Sequence, residues 1–411
     1  MVPKIKHDNH DIRRIRSKYF LIQIFQNVMR NKMLDLIKYN KAMQKLFDIK
    51  LNDYKEYKNI LEQDMRSIPE FKTDPTNIEF KSNLKEDILN DESFSQNVFL
   101  LFKAFDNKYY LIYYNEDRFI VSYDICTNTR IKKIQIDDSE NTPTCFNHFP
   151  DVYQKRDLIM TISAKSNTIN VYDFPDFNLI LNYPKINKNG YLNTANFFSY
   201  DKKIYIMSTN HRYSRKNVDP IKIYDLDANR IKELKDSNEN VSFIDSYYDK
   251  KISKKFIIAG FSRYIRTYDF EKNSIYKTYK DKYNPFHRNV IINDYDEVVK
   301  LIESSSDGYV RIWDFHKGDL IKRILVDKEG AYGICLWNKE SLFVGIKNEI
   351  KLINIETGDI ISNIDYNSDH LLYNHSGDII AIKKINIPQY GECLVTSGYS
   401  PKNIKIISSK K

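Results

Sequence analysis

One short pattern recurs seven times along this chain, and it limits the possible folds more than any other feature. Its fullest copy spans 304–315, where Ser304, Ser305 and Ser306 lead through Asp307-Gly308 into the run Tyr309-Val310-Arg311-Ile312-Trp313-Asp314-Phe315. A polar strand end, a tight turn and an alternating strand are what a β-hairpin needs, because glycine takes a positive φ without steric cost. With Trp313 as position zero, the large apolar residues Tyr123, Tyr172, Tyr224, Tyr268, Ile353 and Ile407 stand at the same place elsewhere. Three residues earlier come Ile120, Ile169, Ile221, Ile265, Val310, Ile350 and Ile404, all β-branched. One residue later come Asp124, Asp173, Asp225, Asp269, Asp314, Asn354 and Ser408. Two residues before zero, Lys222, Arg266, Arg311, Lys351 and Lys405 are basic. Successive zero positions lie 49, 52, 44, 45, 40 and 54 residues apart. A unit of about 40–45 residues with room for four short strands buries its faces on its neighbours, so the chain is an array of small sheets rather than one large core.

That period marks a propeller blade, and the chain resembles the WD-repeat family in a divergent form, with seven repeats over 95–411. The expected fold is mostly β, a seven-bladed WD-repeat-like β-propeller preceded by a small N-terminal α-helical module. In each blade the second and third strands should join at 116–118, 165–167, 209–219, 261–263, 307–308, 347–349 and 400–402. The resemblance implies a buried hydrogen-bonded set of His, Ser or Thr, Asp and Trp in a blade. Only the fifth repeat offers one, with His287, Ser304 or Ser305, Asp307 and Trp313. Tyrosine in place of tryptophan at four repeats keeps the apolar plate but offers a hydroxyl instead of an indole N–H. Packing, more than that network, is expected to hold those blades.

An aromatic content of 14% suits a strand-rich body. No apolar run approaches the roughly 20 residues that span a bilayer. Lys4, Lys6, Arg13, Arg14 and Arg16 precede no signal-type hydrophobic core, so an intracellular protein is expected. Cys126, Cys145, Cys335 and Cys393 lack the paired spacing of a zinc site and read as small buried side chains. Gly398-Tyr399-Ser400 is not a nucleophile elbow, because no glycine follows the serine. There is no Gly-rich phosphate loop and no His pair at ligand spacing. No catalytic residue, metal or cofactor is expected, and the protein reads as non-enzymatic.

Residues 1–62 read as a separate helical module. Ile12, Ile15, Tyr19, Ile22, Phe25 and Met29 follow the three-and-four spacing of an amphipathic helix, and a second helix is expected over 32–47. A third should begin at Asn52 or Asp53. Within this module Phe20-Leu21-Ile22-Gln23-Ile24-Phe25-Gln26-Asn27-Val28, Met33-Leu34-Asp35-Leu36 and Asn40-Lys41-Ala42-Met43 resemble an F-box. That resemblance implies docking to the adaptor of a cullin-type ubiquitin ligase through Leu21, Ile24, Val28 and Met33, with the chain as substrate receptor. The other reading is a module that caps or extends the propeller. The first fifty residues hold 12 Lys or Arg against 4 Asp or Glu, whereas 51–94 hold 6 against 11. A basic face favours acidic partners, but nucleic acid is not expected to be one.

Residues 63–94, with Pro69 and Pro75, read as a linker in which 78–81 alternates like a short strand. The sequence ends just past Ile407, on the third strand of the seventh repeat. An open sheet edge invites aggregation, so 78–81 is expected to supply the missing outer strand and close the ring. In the WD-repeat family the turns between second and third strands emerge on one face. Here that face would collect Arg118, Lys165, Arg212, Arg215, Lys216, Arg263, Lys347 and Lys402, with Phe119, Tyr264, Tyr309 and Tyr399 among them. Guanidinium groups bind carboxylate and phosphate as a fork, and aromatic rings supply rigid contact area. The function expected is a protein–protein interaction scaffold whose face receives acidic or phosphorylated partner segments, with Arg212, Arg215 and Arg263 as the main contacts.

Overall fold

The computed structural model describes residues 41–46, 78–79, 99–115, 118–127, 129–135, 143–183, 191–211, 220–234, 237, 239–283, 285–347, 349–365, 379–387, 391–398 and 404–409. The chain divides into two compact units, Met1–Asp64 and Met65–Lys411. In the first, the helix Lys41–Leu46 is described. The helices expected over 12–29 and from residue 52, and the adaptor-binding positions Leu21, Ile24, Val28 and Met33, lie outside the described residues.

The second unit holds seven antiparallel sheets of four strands. Sheets 1 to 6 draw their strands in chain order from 99–135, 145–183, 191–233, 241–279, 287–325 and 334–365. Sheet 7 takes three strands from 379–409, and its fourth place is filled from far upstream. There Ile78–Glu79 pairs antiparallel with Ile404–Ser409, Ile78 opposite Ser409 and Glu79 opposite Ser408.

Among the described residues six apolar clusters join sheets 1 and 2, 2 and 3, 3 and 4, 4 and 5, 5 and 6, and 7 and 1. One joins sheets 5 and 6 through Ile302, Ile312, Leu342 and Val344. Another joins sheet 7 back to sheet 1, where Ile385, Cys393 and Val395 meet Leu101, Tyr109 and Leu111. At that seam the Tyr109 hydroxyl accepts the Asn386 N–H at 3.4 Å.

The repeating positions have distinct jobs. The β-branched residues three before zero, Ile120, Ile169, Ile221, Ile265, Val310 and Ile350, are all buried. The Asp or Asn after zero caps the turn that follows the third strand. Asp124 accepts the N–H groups of Cys126 and Thr127, Asp314 those of His316 and Lys317, and Asn354 those of Glu356 and Thr357. A short side-chain acceptor two or three residues upstream is the Asx-turn device, so the recurrent Asp ends one strand and starts the next turn.

Side chains also stitch neighbouring sheets together. Along the innermost strands Asn147 donates to the Ala195 carbonyl at 2.7 Å, Asn196 to Ile244 at 3.3 Å and Asn293 to Lys339 at 2.9 Å. Lys384 closes the step between sheets 7 and 6 by donating to the Trp337 carbonyl at 2.9 Å. Farther out, Lys132, Lys232 and Lys322 on the outer strands donate to carbonyls of Asp176, Phe270 and Glu356 in the following sheet. Each bond runs from a side chain of one sheet to a backbone carbonyl of its neighbour.

Candidate functional site

A channel of about 500 Å³ is lined by innermost strands of the sheets, including Phe99–Lys103, Cys145–Asp151, His287–Asn293, Ile334–Leu336 and Ile379–Ile387. Lys383 is exposed within it yet surrounded by protein, and this enclosure lowers its ammonium pKa, while Cys145, Cys335 and Asp245 act in the opposite direction. Burial pushes the thiols of Cys145 and Cys335 up to about 11, so both stay protonated and poorly nucleophilic. All four cysteines are free. His148 lines the channel wall, stacked on Phe102 with centroids 4.1 Å apart. Its Nε2 meets Asp157 at 2.7 Å, and the same carboxylate accepts the Phe105 N–H at 2.9 Å. This His–Asp pair therefore ties sheet 2 to sheet 1. Among the described residues no group of three His, Cys, Asp or Glu is placed to hold a metal ion, and no helix is long and apolar enough to cross a membrane.

Among the described residues a dense polar cluster is buried in sheet 5. Arg311 and Glu303 face each other across the ladder, and both are wholly buried. Arg311 Nε donates to Asp281 Oδ2 at 2.7 Å, its Nη atoms reach Asp307 and Ser305, and Glu303 lies 3.8 Å away. The set expected from the WD-repeat resemblance is only partly formed. Ser305 does donate to Asp307, at 2.6 Å. His287 Nδ1 and the Trp313 indole, however, both turn to Glu303, and Ser304 donates instead to the Tyr332 carbonyl. A buried carboxylate with several acceptor lone pairs outcompetes a neutral hydroxyl for these donors.

These carboxylates carry a pH prediction. Burial alone would raise Asp281 and Asp307, but hydrogen bonds and charge from Arg311 outweigh it and hold both below the usual carboxylate range. Asp269 and Asp314 are lowered in the same sense: burial is overcome by turn N–H groups and by Lys254 or Lys317. A depressed folded pKa contributes stability that is complete above the unfolded value and lost as pH falls through the folded one. At the other end, burial raises Tyr247 and Tyr279, whose contribution is complete below about pH 10 and declines as pH rises further. Thermal melts should therefore give a plateau bounded near pH 4 and pH 10. A melting temperature that falls steeply between pH 7 and pH 5 would contradict this assignment.

Antiparallel alternation brings the turns between second and third strands to the same end of each sheet as the connection to the next sheet. At that end Arg118, Lys165 and Arg263 are exposed, Arg118 at φ 67°. Lys347 is exposed but paired with Glu329 at 2.9 Å. Phe119 is half-buried under Lys133. Tyr264 is half-buried with its hydroxyl on Glu239, and Tyr309 lies between Arg311 and Arg323, so both rings are engaged internally. Arg212, Arg215, Lys216, Tyr399 and Lys402 lie outside the described residues.

Sheets 3, 4 and 5 meet at this end around a cleft of about 610 Å³, lined by Asn193, Glu239, Arg263, Phe286, His287 and Arg288 among others. Arg288 and Phe286 were not among the residues expected from the sequence, because Phe286 sits on the connection entering sheet 5 and Arg288 on its first strand, not on a turn between second and third strands. The Arg288 guanidinium lies over the rings of Phe286 and Tyr332, 4.9 and 5.3 Å from their centroids. Among the described residues neither Arg263 nor Arg288 makes an ion pair with a carboxylate. Two unpaired guanidiniums beside an exposed aromatic ring can take an anion together with the chain that carries it.

No protein-family model and no curated protein matches the sequence. Among solved structures the chain is similar to the crystal structure of Raptor from Chaetomium thermophilum, with a TM-score of 0.57 and 15% identity. The match covers 80% of this chain and 30% of that one. At this identity the likeness speaks to the fold, and it agrees with the sheets described above. The second unit is a WD40-like β-propeller fold, built from seven antiparallel four-stranded sheets.

Proposed function

We propose that the chain is a non-enzymatic protein–protein interaction scaffold. In this reading it is a seven-bladed WD-repeat propeller closed by Ile78–Glu79 and preceded by a helical module, and the end bearing Arg118, Lys165 and Arg263 receives acidic partner segments, phosphorylated ones included. The propeller-like fold supports a scaffold in general terms, since a rigid ring of sheets leaves its connections free to vary. The observation that carries the choice of face is the cleft at sheets 3 to 5, where Arg263 and Arg288 stand without carboxylate partners. The receptor alternative rests on 20–43, most of which lies outside the described residues.

The opposite end supplies the control. Lys108, Lys155, Lys202 and Lys250 sit on turns between first and second strands, and all are exposed. Partners captured by the full chain and crosslinked with an amine reagent should be joined through Lys165 and Lys347 in preference to those four. Reversing charge at Arg118 and Arg263 together should weaken capture about tenfold while the melting temperature moves little, because exposed charges contribute below about 1 kcal/mol each. Crosslinks concentrated on the four control lysines would overturn the choice of face.

A further inference from the structure

Lys383 lies on the innermost strand of sheet 7, Ile379–Ile387, and lines the channel. Three groups act on its charge: Cys145 of sheet 2, Asp245 of sheet 4 and Cys335 of sheet 6. Electrostatic reach to three sheets around the ring places the amine toward the middle of the channel, not against one wall. Its sequence neighbour Lys384 shows the contrast. That ammonium is buried and donates to the Trp337 carbonyl at 2.9 Å, whereas among the described residues the Lys383 ammonium has no hydrogen bond or ion pair. The Asp245 carboxylate accepts the Ser246 N–H at 2.7 Å and the Asn196 amide at 3.3 Å, not the amine. An unpaired amine that a ligand can reach, in a space that penalises its charge, is the setting in which a lysine acts as a nucleophile.

We infer that the channel is a covalent binding site for a small aldehyde, held as an imine on Lys383 Nζ. The amine lone pair adds to the carbonyl carbon and forms the C–N bond. The two amine protons pass through solvent to the carbonyl oxygen, which leaves as water, so nothing is oxidised or reduced. Two features select this electrophile. Enclosure lowers the ammonium pKa, and a neutral imine removes the charge that the enclosure disfavours. Carbon dioxide, by contrast, would leave a carbamate anion within reach of Asp245. The thiols, ordinarily the stronger nucleophiles, do not compete: burial raises Cys145 and Cys335 to about 11, and the thiolate is the reacting form. The site is thereby turned away from alkylating reagents and toward carbonyls. A channel of about 500 Å³ has room for such a ligand. The inference does not depend on which end of the propeller receives partners.

The test treats the folded full chain at neutral pH with limiting benzaldehyde and sodium cyanoborohydride. The borohydride donates hydride to the imine and fixes it as a secondary amine, and peptide mass spectrometry maps the modified lysines. Lys383 should be modified several-fold faster than the exposed Lys108, Lys155, Lys202 and Lys250, while Lys384 stays unmodified. In urea the preference should vanish, because it belongs to the channel and not to the local sequence. N-ethylmaleimide added to the folded chain should leave Cys145 and Cys335 unmodified. Asp245→Asn keeps both hydrogen bonds and removes a charge that favours the ammonium. It should speed modification of Lys383 and leave the four surface lysines unchanged, a response that a merely structural lysine would not give. Lys383→Arg, which keeps the charge and loses the nucleophile, should melt with the parent and lose the channel adduct. Modification of Lys383 no faster than the four surface lysines overturns the site, as does alkylation of the channel thiols in preference to it. Protection of Lys383 by acetate or phosphate, with no preference for the aldehyde, would overturn the imine and leave an anion pocket in its place.

Discussion

Replacing Arg311 with alanine should destabilise the propeller by about 3–5 kcal/mol, the range for breaking a buried ion pair from one side. Three carboxylates surround this guanidinium: Asp281 and Asp307 bonded to it, and Glu303 3.8 Å away. Asp281 keeps a second cation in Arg323, at 3.3 Å, and Asp307 is partly exposed. Glu303 has neither relief, since it is wholly buried and would be left with His287 and the Trp313 N–H. Most of the loss should therefore come from Glu303. Arg311→Ala combined with Glu303→Gln should cost less than the single change, which is the signature of coupled sites. Arg311→Lys should recover only part, because an ammonium cannot reach Asp281 and Asp307 as one planar fork. Urea unfolding followed by tryptophan fluorescence reads this directly, because the chain has 2 tryptophans and Trp313 and Trp337 both lie buried in sheets 5 and 6. A loss below about 1 kcal/mol would mean the cluster behaves like a surface pair.

The recurring positions were legible because each has a purely local job. A β-branched core residue, an aromatic plate and a turn-capping Asp need only their own hairpin, so their spacing survives in the one-dimensional pattern. What crosses from one sheet to the next was not legible. Asp281 reaches Arg311 from the connection after sheet 4, and nothing in its surroundings announces the pairing. Glu303, flanked by Ile302 and Ser304, reads as a solvent-facing residue of an alternating strand, yet it is wholly buried and bonded by His287 and Trp313 of its own sheet. The cleft was half-read for a related reason. Arg263 was found on its turn, whereas Arg288 lies on the strand that opens the next blade, and the two meet only when sheets 4 and 5 pack. A usable signal did exist for the seams. Lys132, Lys232 and Lys322 stand eight or nine residues after their zero positions, and that recurrence marks the outer-strand donors.

Gly308→Ala should lower stability by about 3 kcal/mol or more, whereas Gly318→Ala, at nearly the same backbone angle, should cost about 1 kcal/mol. Gly308 has φ +80° and Gly318 φ +83°, so an alanine meets similar left-handed strain at either position. The surroundings separate them. A Cβ on Gly318 would touch the Lys277 side chain at 3.5 Å, which can move. A Cβ on Gly308 would lie 1.5 Å from the Asp327 carbonyl oxygen, so the backbone itself must retreat. That retreat breaks two bonds to the Gly308 carbonyl, from Val326 N at 2.9 Å and Asp327 N at 3.2 Å. It also disturbs the Val326 carbonyl, which accepts Lys351 Nζ at 2.7 Å and ties sheet 6 to this connection. Hydrogen exchange should show the Val326 and Asp327 amides losing protection in Gly308→Ala and keeping it in Gly318→Ala. Equal melting temperatures for the two variants would show that the connection after sheet 5 yields freely. In that case the glycine of the Asp-Gly turn serves the turn alone, and the contact between successive blades does not depend on it.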